Sequence, residues 1–284
     1  MNGKRIFFRK VTIVGVGLIG GSLGMAIKKN GLAKEVMGLA RRHGPLVTAI
    51  RGGAIDKISH DYKKAVDGSD LVIFATPVKT IMELFPKVGC FLKRGCLVTD
   101  VGSIKEEIVR AAHKSLPPYV NFVGSHPVAG SEKSGNLFAN ADLFKDSLCV
   151  VTPTDKTNRA AVDTIKTLWT KCGALVKTLS PQEHDQILAY VSHVPHLLAY
   201  SLMDAIPEKY LDYASSGLKD TTRVASSDPK MWNDICMANS RNILRTLDSV
   251  VKQISVLRKA ITSRKEQDLM ERFKESKRKR DGIN

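Results

Sequence analysis

A histidine stands among turn and polar residues in Gly124-Ser125-His126-Pro127-Val128-Ala129-Gly130-Ser131-Glu132-Lys133-Ser134-Gly135, directly behind a short apolar run. An imidazole so placed accepts a hydroxyl proton near neutral pH. Hydride departure from an alcohol carbon calls for such a base. A lone loop histidine is more often structural, so a catalytic reading needs a second element that converges with it. Ser103 is one, in Val98-Thr99-Asp100-Val101-Gly102-Ser103-Ile104-Lys105, which follows another apolar run and enters a helix. That places Ser103 along the carboxyl edge of a sheet, the usual ligand crevice. With Glu106 three positions later the same serine makes a capping box, which alone accounts for a serine there; the two roles are compatible.

The second half adds Ser192-His193-Val194-Pro195-His196 and a segment from Ser216 to Trp232 that contains Arg223. His193 and His196 are three apart, so one helix face presents both. No nearby acid completes a zinc spacing and His-Glu-x-x-His is absent, so no metal is expected. Arg223 has the chemistry to grip a carboxylate through two parallel hydrogen bonds, or to serve as an interhelix salt bridge.

Near the start, Gly15-Val16-Gly17-Leu18-Ile19-Gly20 lies between a β run and a helix pattern. Glycines there permit a tight turn and close pyrophosphate approach, while the helix start, through Leu18 and Ile19, offers unpaired N–H groups. Dinucleotide binding is the expectation. Where an NAD-preferring site usually carries an acid, the chain reads Ala40-Arg41-Arg42, and two guanidinium groups match a 2'-phosphate. NADP is therefore favoured over NAD. Thr76 and Pro77, after a further strand, are also placed on the cofactor side, with Thr76 as helix cap and Pro77 as the first helical residue.

These groups need a scaffold. Short β runs at Val11–Val14, Glu35–Leu39, Leu71–Ala75, Cys96–Thr99, Asn121–Val123, Leu148–Val151 and Ala174–Val176 alternate with helical patterns. Such alternation indicates an α/β fold with a mostly parallel sheet. From Ser180, Pro181 and Glu183, a cap, a first-turn proline and a capping-box acid, no convincing strand follows. The expected organisation is a dinucleotide-binding domain over residues 1–177 and an all-helical domain over 178–284. Ile243, Leu244, Leu247, Val250, Val251, Ile254, Leu257 and Ile261 form one broad apolar helical stripe that suits a homodimer interface. Beyond Lys265 the composition is strongly charged, and a solvated or frayed tail is expected.

The 284 residues carry a formal charge of +16, which favours anionic partners such as a multiply carboxylated small molecule. Aromatics amount to 6% and no zinc-finger or paired-aromatic pattern occurs, so nucleic-acid binding is not expected. Cys90, Cys96, Cys149, Cys172 and Cys236 are widely spaced and odd in number, which indicates a reducing, cytoplasmic setting. Lys4, Arg5, Arg9 and Lys10 ahead of Val11 to Met25 imitate a secretory signal, but the glycines and strand-turn-helix order read as folded core. No membrane span is expected.

Taken in order, GVGLIGGSL, TDVGSIK, GSHPVAGSEKSG, VSHVPHLLA and GLKDTTRVASSDPKMW resemble the prephenate and arogenate dehydrogenases of tyrosine biosynthesis, over roughly Val11 to Lys265. The resemblance implies a Rossmann-like N-terminal domain, an all-helical C-terminal domain that dimerises, and an active site between them. It implies oxidation of a cyclohexadienol hydroxyl by a nicotinamide cofactor with loss of CO2. His126 would draw the hydroxyl proton, Ser103 would hydrogen-bond it or the substrate, and Arg223 would bind substrate carboxylate. Ser192, His193 and His196 would line the substrate side, and Glu132 with Lys133 would shape or gate the mouth. The residue types do not choose between prephenate and arogenate. Only about ten residues precede Val11, so no mutase-like helical segment is expected before the nucleotide fold, nor a substantial regulatory domain after the helical half. The alternatives are a β-hydroxyacid dehydrogenase, in which a helical-domain lysine is the acid or base, and a non-catalytic cofactor-sensing or nucleic-acid-binding regulator.

Overall fold

The computed structural model describes residues 8–40, 43–129 and 135–283. β1 (Phe8–Val14), α1 (Leu18–Lys29), β2 (Ala33–Leu39), α2 (His43–Arg51), β3 (Lys57–Ser59), α3 (Tyr62–Val66), β4 (Leu71–Phe74) and α4 (Val78–Gly89) open the chain. β5 (Leu97–Asp100), α5 (Glu106–Ser115), β6 (Asn121–Pro127), β7 (Leu148–Thr152), α6 (Arg159–Lys171) and β8 (Leu175–Thr178) complete one sheet, in the order β3-β2-β1-β4-β5-β6-β7-β8. Strands β3 to β6 run parallel, whereas β7 is antiparallel to β6 and β8 follows β7. The sheet is thus Rossmann-like with a reversed pair at one edge. β4 is Leu-Val-Ile-Phe with every side chain fully buried, as a parallel strand covered on both faces requires.

The order of chain winding reverses between β1 and β4, so the crevice outside their carboxyl ends is the natural ligand site of such a sheet. Leu23, Ile27, Leu46, Ile165 and Trp169 fill one face; Phe85, Val88, Ile108 and Ala112 fill the other.

The helical half comprises α7 (Pro181–Leu188), a π-helical turn (Ala189–His193), α8 (Val194–Ala205), α9 (Ser216–Thr222), α10 (Pro229–Ala238), α11 (Ser240–Thr262) and α12 (Glu266–Asp281). Among the described residues no strand follows β8. The capping box at Ser180 and Glu183 forms as expected: Ser180 N donates to Glu183 Oε2 at 2.9 Å and Glu183 N to Ser180 Oγ at 3.2 Å. Trp232 and Ile235 of α10 enter the same core as Phe85, so the two halves are packed together by apolar burial.

Several expectations are corrected. β3 is three residues long, too short for periodicity to reveal. Pro77 is the residue before α4, not its first helical residue, and Thr76 does not cap it. The expected Ser103–Glu106 capping box is absent, because α5 begins at Glu106 and its free N–H groups are taken elsewhere. β6 continues through Pro127, so His126 lies on a strand and not in a loop. The basic tail is solvent-exposed but helical, not frayed. Ion pairs one turn apart, Arg278 with Glu275 at 2.8 Å and Lys277 with Asp281 at 2.5 Å, support α12.

Candidate functional site

The glycine turn is built by steric demand. Gly15 sits at φ +95°, a left-handed conformation open to glycine, and a Cβ on Gly20 would lie 2.1 Å from the Gly15 carbonyl oxygen. These two let α1 press against the end of β1. A Cβ on Gly17 would meet nothing within 4 Å, so this position faces open space in front of the helix start. Gly17 caps α1 without a side-chain hydrogen bond, which leaves the first-turn N–H groups of Leu18, Ile19 and Gly20 for an anion. Across the crevice the Thr76 hydroxyl is buried with no partner among the described residues. An open cradle, a helix N-terminus and an orphaned hydroxyl at the winding reversal fit a dinucleotide. Arg41 and Arg42 lie outside the described residues, as do Glu132 and Lys133.

His126 occupies the end of β6 and is buried. Its Nδ1 is 2.8 Å from Nε2 of His184, and His184 Nδ1 is 2.8 Å from Oδ1 of Asp185. Both partners come from α7, in the helical half. Asp185 also accepts the backbone N–H groups of Lys105 at 2.6 Å and Glu106 at 2.9 Å, replacing the serine cap expected for α5. One carboxylate therefore ends a helix of the sheet half and holds an imidazole behind His126. A charge at a helix N-terminus is favoured by the helix dipole.

Beneath this chain lies a fully buried ion pair, Lys105 Nζ with Asp100, at the end of β5. Lys105 Nζ also donates to the Ser125 carbonyl at 2.8 Å, and Asp100 Oδ2 accepts from Gly102 N at 2.8 Å. The pair fixes the β5 loop against β6, immediately before His126. Ser103 is half-buried in that loop; its hydroxyl makes no hydrogen bond to a described residue, and it is not joined to His126.

The π-helical turn carries Ser192 and His193. Asn239 Nδ2 lies 3.0 Å from His193 Nδ1 while also donating to the Asp185 carbonyl at 2.8 Å. With the amide as donor, His193 Nδ1 accepts and Nε2 carries the proton. That Nε2 is buried without a partner among the described residues, a donor waiting for an acceptor. His196 stacks on Trp232, ring centroids 3.7 Å apart, and its Nδ1 donates to the Ser192 carbonyl at 2.8 Å. Arg223, exposed on the short 3-10 turn Arg223–Ser226, lies close enough to lower the His196 pKa through its charge. His193 similarly acts on both His126 and His184. His193 and His196 both lie against Trp232, with ring centroids 6.0 and 3.7 Å from its ring.

Burial, then the fields of His184, Lys105 and His193, hold the His126 pKa well below its ordinary value. Burial is also the main cause that lowers His184 to about 2 and His193 to about 4. All three are thus neutral when folded, whereas in the unfolded chain each takes up a proton below about pH 6.5. The unfolded state binds more protons as pH falls, so their contribution to stability is complete above that pH and is lost below it. Each imidazole contributes a slope of about 1.4 kcal/mol per pH unit in the acid range. Denaturant unfolding at fixed ionic strength is expected to show stability dropping steeply between about pH 6.5 and 5; a flat profile there contradicts neutral burial.

His184, Asp185 and Asn239 were not legible as site residues. Their signal was weak: a His-Asp pair one turn into a helix reads as two solvent-facing side chains until burial is known.

Among the described residues no group of three or more His, Cys, Asp and Glu side chains is arranged to hold a metal, and no helix is long and apolar enough to cross a membrane. Residues 23–178 match the model for "Prephenate dehydrogenase, nucleotide-binding domain" and residues 180–275 that for "Prephenate dehydrogenase, dimerization domain". Prephenate dehydrogenase of Bacillus subtilis is 36% identical over 280 residues, 96% of this chain and 76% of that protein. Cyclohexadienyl dehydrogenase of Zymomonas mobilis is 32% identical over 282 residues, 96% of this chain and 95% of that one. Prephenate dehydrogenase of A. aeolicus, solved with hydroxyphenyl propionate and NAD+, superposes with a TM-score of 0.91 at 32% identity, covering 97% of this chain and 98% of that one. That complex overturns the NADP expectation drawn from Arg41 and Arg42. Guanidinium groups beside an adenosine can stack on the base or pair with the pyrophosphate, so their presence does not demand a 2'-phosphate.

Proposed function

Because the chain belongs to the prephenate and arogenate dehydrogenase family, we propose that it oxidises prephenate or arogenate with NAD+, releasing CO2 and 4-hydroxyphenylpyruvate or tyrosine. The observation that carries this reading is a buried imidazole, His126, at the carboxyl edge of a dinucleotide-type sheet and 2.8 Å from His184 of the helical half. Residues 1–177 take the cofactor and 178–284 the substrate side and the dimer contact.

The first-turn N–H groups at Leu18, Ile19 and Gly20 would hold the pyrophosphate, Gly15 makes the turn, Gly17 leaves room, and the Thr76 hydroxyl, next to Pro77, would gain a partner. Bound NAD+ supplies a hydride acceptor. His126 Nε2 receives the ring hydroxyl proton as the carbonyl forms at that carbon. The bond from the opposite ring carbon to the carboxylate then breaks, its electron pair moves through the ring onto the carbonyl oxygen, CO2 leaves, the resulting phenolate takes the proton back from His126 Nε2, and aromatisation makes the step strongly downhill. Arg223 holds a substrate carboxylate away from the base. Ser103 hydrogen-bonds the ring hydroxyl, His193 offers its Nε2–H, and Ser192 with His196 lines the same side.

The pair of substrates differs only in a keto against an amino side chain. Both are tested with NAD+ on the full chain, following NADH, CO2 and aromatic product. Equal amounts of all three with at least one substrate are expected; cofactor binding without NADH from either overturns the reading.

The reading includes a homodimer. Leu244, Val251, Ile254 and Ile261 of α11 are exposed, so the apolar stripe is only partly covered by its own chain. It also includes a cytoplasmic location, supported by five cysteines that are all unpaired.

A further inference from the structure

We propose that His184 and Asp185 are positioning residues for the base: Asp185 accepts from His184 Nδ1–H, His184 Nε2 accepts from His126 Nδ1–H, and His126 is thereby fixed with its lone pair on Nε2. The inference rests on His126 being the base of the reading above, and it deepens that reading.

The direction of the relay follows from the acceptor at its end. Asp185 receives two backbone N–H groups at the start of α5 and lies in the field of the Lys105 ammonium. Burial pushes its carboxyl up, and these donors and that charge pull it back. The Asp185 Oδ1 that already accepts the Lys105 N–H at 2.6 Å is best completed by a second donor, the His184 Nδ1–H at 2.8 Å. His184 then has only a lone pair to offer at Nε2, and at 2.8 Å the proton between the two rings belongs to His126 Nδ1. The other titratable groups around the rings, Asp100 and Lys105 from the β5 side, Cys149 from β7 and His193 from the π turn, offer His126 no competing acceptor.

Placement across the two halves has a consequence. His126 belongs to the sheet, while both relay residues belong to α7. The reactive tautomer is therefore set only when the halves are docked, and the Asp185 cap on α5 is part of that docking. During turnover the hydroxyl proton forms a bond to His126 Nε2 while the O–H bond breaks. His126 Nδ1–H stays bonded to His184, Asp185 stays ionised, and the proton returns from Nε2 to the phenolate oxygen that decarboxylation creates.

Nitrogen NMR of histidine-labelled full chain with NAD+ bound reads the tautomer directly: Nδ1–H with a lone pair on Nε2 is expected for His126, and Nε2–H overturns the proposal. Kinetics give a second arm. His184→Leu removes the acceptor and is expected to lower kcat by about 10²-fold or more, since a wrong imidazole tautomer forfeits general-base catalysis, with KM for substrate and NAD+ little changed. His184→Gln, whose amide oxygen can replace the acceptor, is expected to recover at least about tenfold of that loss. A His184→Leu kcat near the parent value, or equal losses in both variants, overturns the proposal. If His184→Leu does not fold, the spectrum of the parent protein still decides. Absence of turnover in the parent protein instead overturns the functional reading and leaves the tautomer assignment measurable.

Discussion

His126→Asn lowers kcat by about 10²- to 10⁴-fold while NAD+ binding and substrate KM stay close to those of the parent chain, because general-base catalysis contributes in the reacting state. Asparagine retains polarity on β6 but has no nitrogen that can take a proton. The neighbouring ion pair of Lys105 and Asp100 holds the β5 loop independently of the imidazole, so the fold around the position survives the change. Steady-state kinetics with fluorescence titration of the cofactor separate the two quantities. A variant with near-normal kcat contradicts His126 as the base, whereas a large loss confined to KM assigns it to binding. The parent enzyme is also expected to keep its kcat/KM from about pH 8 down through the ordinary histidine range near 6.5, because burial and neighbouring groups depress the His126 pKa. Activity falls only when protonation of His126 begins, below that range.

Arg223→Ala is the second large effect. A charge-assisted hydrogen-bonded pair is worth about 1.5–3 kcal/mol, so substrate KM rises roughly 10- to 150-fold. Cofactor affinity is unaffected, since the residue belongs to the helical half beside His196 and Trp232 and not to the glycine turn. Arg223→Lys recovers only part of the loss, because an ammonium cannot offer two parallel donors. The other role open to Arg223, an interhelix salt bridge, predicts a lower Tm with unchanged KM. Measuring both on the same preparation tells them apart.

What sequence made legible follows local rules. The glycine turn, the apolar run of β4 and the capping box at Ser180 each depend on residues within a few positions, and each formed where the pattern placed it. Ser103 and Glu106 met the same local criterion and failed. A carboxylate about eighty positions away, Asp185, satisfies the α5 N–H groups in place of the serine. The relay behind His126 was hidden for the same reason. His184 and Asp185 look like polar helix residues in a line of text, and only packing of α7 against the sheet half buries them. The tail is solvated as expected but not frayed: a charge-rich composition concealed the one-turn spacing of Glu275 with Arg278 and Lys279 that lets α12 persist. Cofactor choice escaped as well, because Arg41 and Arg42 announce an anion without saying which one.

The central claim is that an imidazole of the sheet half and a guanidinium of the helical half act on one molecule. A crystal structure of the full chain with NAD+ and hydroxyphenyl propionate tests it most directly. The phenolic oxygen is predicted to lie about 2.6–3.2 Å from His126 Nε2, with the carboxylate on the side of Arg223. A ligand seated in the crevice with its oxygen turned away from His126, or with both groups on separate surfaces, contradicts the account.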